Sequence, residues 1–375
     1  MRMKKRAACF ISLALLVVMG AGGFSRLEAA PAPGQAKPVE LKFFSFAPEA
    51  HDGSISSKMI MQRITERTNG LVKFKTFFGG ALGSVTEVLP YLKQGVVDLA
   101  CFFPGYNPGF FQVATINSLY YTLSSIDGKN KAYQQITDEF AQVRDEFTAQ
   151  NIKFLFYGSG DSPILVTNKR IEKRDDFKGM KIRSSWLDGL LLKSWGATPV
   201  AVEAPDIYDS MSKGIIDGAY GMPPQAMVSW AIQEVGKNFI ATGVGPSAGV
   251  FVGMNLKTFQ SLPPDIQKIC VEEGKRLTDT YHEVNMASLR RIIPGKLLPA
   301  GVKIYALPEA TQAELKKAAG TIVSDAWIAT VVKAGVNEQL ARQVVARFIE
   351  LGKQFDQQTA AKELVQMYET EFKKK

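Results

Sequence analysis

Two histidines, His51 and His282, and three cysteines, Cys9, Cys101 and Cys270, are all the imidazole and thiol groups that the 375-residue chain possesses. They stand far apart. A structural zinc needs a close set of such ligands, and a His-dependent triad needs its base beside its nucleophile, so these spacings support neither. Carboxylates are abundant, yet none are visibly paired for acid–base work. No catalytic residue, metal ligand or cofactor is therefore predicted. The chemistry left to such a chain is recognition, in which charged and aromatic side chains hold a molecule without altering it.

The elements that would position such a site begin after an unusual start. Arg2, Lys4, Lys5 and Arg6 precede an apolar run from Ala7 to about Gly23, followed by small residues around Ala29 and Ala30. That order reads as a secretory signal over residues 1–30. The competing reading is a membrane anchor, since the run is near the lower length for spanning a bilayer. Gly20, Gly22 and Gly23, and the Ala/Pro/Gly linker at 31–38, favour the signal. Five basic residues of the chain's +9 net charge fall in this segment, and the rest are dispersed, without the clustered Arg/Lys and interleaved aromatics of a nucleic-acid footprint. Cys101 and Cys270 remain in the mature chain. An oxidising compartment would permit a disulfide between them, but two separately buried thiols are the expectation.

Val39 to Phe46 reads as a first strand and is followed by a helix from about Ser54, with Ile60 and Ile64 on one face and Asn69-Gly70 as its stop. Leu71 to Phe78 alternates around Lys73 and Lys75 as a half-solvated strand. Ser84 caps a helix carrying Val88 and Leu92, which ends at Gly95 before the strand VVDLACFF. One long helix is expected from about Gly128 to Gln150, because Ile136, Phe140, Val143 and Phe147 form a single stripe. Further strands are predicted at 152–158, 162–167, 180–183 and 301–308, a helix at 188–195, and a long helical region from Pro264 to Ile293. Alternation of this kind predicts an α/β fold with mainly parallel strands. An internal echo, YLKQGVVDLA at 91–100 against SMSKGIIDGA at 210–219, suggests one supersecondary unit used twice.

The segment from Asp175 to Gly218 carries an ordered set of motifs: Asp176-Phe177-Lys178-Gly179-Met180-Lys181-Ile182-Arg183, then Trp195-Gly196-Ala197-Thr198-Pro199-Val200, then Asp206-Ile207-Tyr208 through Lys213-Gly214-Ile215-Ile216-Asp217-Gly218. With ITERTNG at 64–70 and GGALGSVTEVLPYLKQGVVDLA at 79–100, this set resembles the DctP-type solute receptors of TRAP transporters over about residues 39–270. The resemblance implies a two-lobe periplasmic binding-protein fold, type II-like, with hinge strands and a long helix bridging both lobes. Residues 39–160 would be mainly lobe I, 161–253 mainly lobe II, 254–300 the bridging helical region, and 301–375 a strand and helices returning to the lobes. It also implies periplasmic capture of a small organic acid and delivery to TRAP permease subunits. A monomer is expected, with a dimer left open. An ABC-type binding protein would share the fold and export but not the K-I-R and I-I-D-G block, and an exported enzyme would need the catalytic set that is missing.

In this family the arginine of K-I-R pairs with the ligand carboxylate, which carries over to Arg183. A planar guanidinium offers paired donors matched to both carboxylate oxygens. Two departures limit further transfer. The family's D-G-x-E-N-P places an Asn where this chain has Gly221, and an Arg found in some members before T-N is replaced by the stretch Ser162-Pro163-Ile164. Dicarboxylates and sialic acids are therefore not the expected ligands. Trp186, Tyr220, Phe102, Phe103 and Tyr106, close to the matched motifs, are candidates for the walls around a monocarboxylate with an apolar or aromatic body.

Overall fold

The structure, a computed structural model, describes residues 38–107, 109–355 and 363–373. The signal segment and almost all of the linker lie outside the described residues. Among the described residues eleven strands form two sheets. In the first, of order β2-β1-β3-β10-β4, the strands are β1 (Val39–Ser45), β2 (Val72–Phe77), β3 (Leu99–Phe102), β4 (Ile152–Gly158) and β10 (Val250–Asn255). The second, of order β11-β9-β5-β8-β6-β7, contains β5 (Ile164–Thr167), β6 (Lys181–Ser184), β7 (Thr198–Ala201), β8 (Gly218–Met222), β9 (Asn238–Ala241) and β11 (Lys303–Ala306).

The two sheets share one plan. In each, a central strand (β1 or β6) has a parallel neighbour on both sides, and beyond one of these lies an antiparallel strand, β10 or β5. Those antiparallel strands are the departure from the mainly parallel expectation, and their origin is physical. Each is reached by crossing from the other sheet: β4 runs out through residues 159–163 into β5, and β9 runs back through 242–249 into β10. The two crossings are tied side by side, with Ser159 Oγ donating to the Ser247 carbonyl and Ser162 Oγ to the Gly245 carbonyl, both at 2.8 Å.

The echo in the sequence marks equivalent places in this plan. Gly95 and Gly214 both adopt the left-handed conformation, at φ 76° and 69°, that lets a helix turn sharply into a strand. Three residues later, Asp98 accepts from the Lys42 amide of β1 at 2.8 Å, and Asp217 accepts from the Lys181 amide of β6 at 2.7 Å. In both units the aspartate's own amide returns a bond to the same lysine carbonyl. The aspartate thus registers the incoming strand on its parallel partner.

The 29-residue helix Pro264–Ile292 joins the two halves. Its Cys270, Leu277 and Tyr281 enter the core beneath the first sheet with Phe43, Phe156 and Val252, whereas Leu289 and Ile292 enter the core of the second with Phe239 and Met227. Cys101 and Cys270 are both buried and unbonded. The single helix expected at 128–150 is two, Ile126–Glu139 and Ala141–Ala149, because Phe140 is extended at φ −106°, ψ 104°. Arg144 of the second helix donates to the Thr137 and Asp138 carbonyls, which stabilises the break by satisfying the orphaned end of the first. Among the described residues no helix is long and apolar enough to cross a membrane.

Candidate functional site

The carboxyl ends of β1, β3, β6 and β8 converge on one cavity of about 140 Å³, where a site is expected in open α/β sheets. Arg183, on β6, lines it and is only 1% exposed. Its position follows from the strand period: Ile182 is fully buried in the hydrophobic core on one face and Arg183 projects to the other. Nε donates to the Val202 carbonyl at 2.8 Å, Nη1 to the Tyr220 carbonyl at 3.1 Å and Nη2 to the Tyr106 hydroxyl at 3.4 Å. A guanidinium has five N–H groups, so one remains on each terminal nitrogen. Among the described residues no carboxylate forms an ion pair with Arg183. A buried cation fixed in this way is suited to an anion with two parallel acceptors.

The other predicted site residues separate into two groups. Tyr106 lines the cavity, and so does Trp186, which is 36% exposed and opens its helix with φ 34°. That conformation is uncommon for a bulky residue and holds the indole at the cavity's edge. Phe102 and Tyr220, by contrast, do not wall the cavity. Phe102 packs in the core, its ring stacked on Phe111 and Phe251 at 5.9 and 5.8 Å, and it is the next residue, Phe103, that faces the site. Tyr220 sends its ring against Trp195 and its hydroxyl to Thr242, while its carbonyl alone serves the site by holding Arg183. In both cases strand alternation decides which residue turns inward. Around the cavity, Phe103 and Tyr106 are joined by two aromatics not singled out from the sequence: Phe46 contacts Phe103 at 5.5 Å and Tyr106 at 5.8 Å, both edge-on, and stacks on Trp230 at 6.2 Å.

Four polar residues escape a reading by sequence. Asp188, buried on the helix Trp186–Trp195, accepts from the Tyr120 hydroxyl and, at 3.0 Å, from Ser185 Oγ. Burial pushes its carboxyl above the usual range, against the pull of the Tyr120 bond and the Arg183 charge. It also accounts for Gly221. That glycine has φ 100°, and a side chain begun there would overlap Asp188 Oδ2, so the carboxyl fills the space a residue at 221 would otherwise use. Behind it, buried Lys129 donates to the Pro246 carbonyl at 2.7 Å and lies over the Tyr120 ring, and burial pushes its ammonium down to about 7. His51 caps the helix Asp52–Arg67, its Nδ1 accepting from the Gly53 amide at 3.0 Å, and burial pushes it down to about 4. The one sequence signal for His51 and Asp52 was their place just past a strand's carboxyl end, at a helix N-terminus. A lone Asp188 gave none.

Asp52 is pushed by burial from 3.8 up to about 7. A raised carboxylate pKa contributes stability that is complete below about pH 4 and lost as pH rises through about 7, at up to ~1.4 kcal/mol per pH unit. His51, lowered from 6.5 to about 4, has the opposite slope over much of that window. Asp52→Asn removes one component only. The melting temperature of the variant relative to the parent should therefore climb between pH 4 and pH 7; a difference independent of pH would mean that Asp52 ionises normally in the fold.

Residues 45–330 match the model of the bacterial extracellular solute-binding protein family 7, DctP. A solute-binding protein of Sulfitobacter sp. (strain NAS-14.1) is 25% identical over 270 residues, covering 71% of this chain and 80% of the relative. The crystal structure of a TRAP solute-binding protein from Rhodoferax ferrireducens T118, in complex with copurified benzoate, superimposes with a TM-score of 0.75 at 26% identity and covers 84% of this chain and 98% of its own. A marine metagenome TRAP solute-binding protein, solved with 3-hydroxybenzoate, shares the fold at a TM-score of 0.76 and 23% identity, covering 86% of this chain and all of its own. The family consists of receptors rather than enzymes, and with its model matched over most of the sequence this chain belongs to the bacterial extracellular solute-binding protein family 7, DctP.

Proposed function

We propose that this chain is the periplasmic receptor of a TRAP transporter, and that it captures a small monocarboxylate with an apolar or aromatic body and passes it to a membrane permease. The observation that carries the reading is Arg183: a buried cation with three donors engaged and one free N–H on each terminal nitrogen, beside a wall of Phe46, Phe103, Tyr106 and Trp230. One fixed charge of this kind suits one carboxylate. A second carboxylate would meet Asp188 and Asp52, and no second arginine lines the cavity. The benzoate bound by the Rhodoferax relative is an acid of this class. Closure of the two halves over the ligand would be absorbed at the crossings 159–163 and 242–249, which with the helix Pro264–Ile292 carry the backbone between the sheets.

Native mass spectrometry of protein purified without added ligand tests the reading. The expected result is a 1:1 complex with a monocarboxylic acid. Recovery of a dicarboxylate, a neutral sugar or a peptide would overturn the assignment of ligand class.

A further inference from the structure

The cavity has a second polar end whose chemistry complements Arg183. Asp52, 5% exposed, begins the helix after β1 and lines the cavity; its Oδ1 accepts from Ser288 Oγ at 3.2 Å, and its Oδ2 has no hydrogen-bond partner. Asn117, 2% exposed in the turn Val113–Ser118, lines the same cavity. Its amide nitrogen donates to the Ala248 carbonyl, which orients the side chain and leaves Oδ1 without a partner. Both residues line the one cavity with a buried acceptor left over, and an unsatisfied buried polar atom forgoes about 1–3 kcal/mol. With Asp52 ionised, an occupant that brings hydrogen to donate relieves that cost. An apolar ring alone would bury both oxygens unpaired.

We propose that Asp52 Oδ2 and Asn117 Oδ1 form an acceptor subsite that selects organic acids bearing a hydroxyl or amino group away from the carboxylate held by Arg183. The inference rests on the carboxylate reading above and narrows it, from monocarboxylates in general to those with a donor on the body. The two ends divide the work. Arg183 supplies the charge that any acid needs. The acceptors discriminate among acids, since a site built to bond a substrate hydroxyl rejects the analogue lacking it far more strongly than an apolar pocket rejects an extra methylene.

The test is calorimetry with matched pairs of probes: benzoate against 3-hydroxybenzoate, 4-hydroxybenzoate and 3-aminobenzoate, and hexanoate against 6-hydroxyhexanoate. The parent protein should bind at least one donor-bearing acid about tenfold or more tighter than its unsubstituted partner. Asp52→Asn, which keeps a bond to Ser288 available, should lose most of that margin, read as the ratio of the two affinities within each pair. Asn117→Ala serves as the second variant should Asp52→Asn unfold. Arg183→Ala should weaken both members of a pair alike, so the two ends report separately. Selection for the donor-bearing member that survives in both acceptor variants, or no selection in the parent, would overturn the subsite and leave the carboxylate reading standing. Failure of every acid to bind the parent would overturn both.

Discussion

Arg183→Ala is expected to reduce affinity for the cognate acid by one to two orders of magnitude, with the protein still folded. The guanidinium's bonds to the Val202 and Tyr220 carbonyls and to the Tyr106 hydroxyl hold it in place, and its remaining N–H groups are the donors available to a ligand. A charge-assisted hydrogen bond contributes ~1.5–3 kcal/mol net, and each ~1.4 kcal/mol is tenfold in the dissociation constant. Loss of the cation proposed to hold the ligand is expected in affinity rather than in stability, because the deleted side chain leaves polar carbonyls that water can reach through the cavity. Isothermal titration on the variant decides the matter. Unchanged affinity would mean that the acid is held elsewhere.

The second large effect concerns Gly221, which packs against Asp188 at φ 100°. Replacing it with alanine forces a side chain into left-handed backbone at φ 100°, which costs about 1–2 kcal/mol, and drives Cβ into Asp188 Oδ2, where overpacking costs about 1–3 kcal/mol more. The two penalties have different cures. Truncating Asp188 to alanine in the same background should return the packing share and leave the backbone share, so the double variant should be more stable than the sum of the singles by about 1 kcal/mol or more in denaturant titrations. Additive effects would show that Gly221 and Asp188 do not share this space. A carboxyl from the neighbouring helix, tethered by Tyr120 and Ser185, occupies the space that a side chain at 221 would use.

Much of the fold could be read in the residues before any coordinates. The glycine–aspartate echo at 91–100 and 210–219 pointed to a repeated unit, and the structure gives that unit a concrete role, with Asp98 and Asp217 each clamping a parallel strand. The hydrophobic stripe through Phe140 was real but did not reveal the break there, since the signal for the break is Arg144 reaching back to two carbonyls, a contact that periodicity does not encode. Within the site, motif position led to Arg183 and proximity led to Tyr106 and Trp186. It failed for Phe102 and Tyr220 because a one-residue shift along a strand exchanges the cleft for the core. Asn117 and Asp188 left no trace, and Asp52 only its place at a helix N-terminus, for a different reason. An isolated acid or amide looks like surface until tertiary packing buries it.

The measurement that bears most directly on the central claim is a crystal structure of the protein with a bound acid that copurifies with it. The account predicts both carboxylate oxygens in the cavity at hydrogen-bonding distance, about 2.7–2.9 Å, from the two terminal nitrogens of Arg183. A ligand lodged away from Arg183, or an arginine whose terminal nitrogens face only backbone carbonyls while the acid is held by other donors, would contradict it.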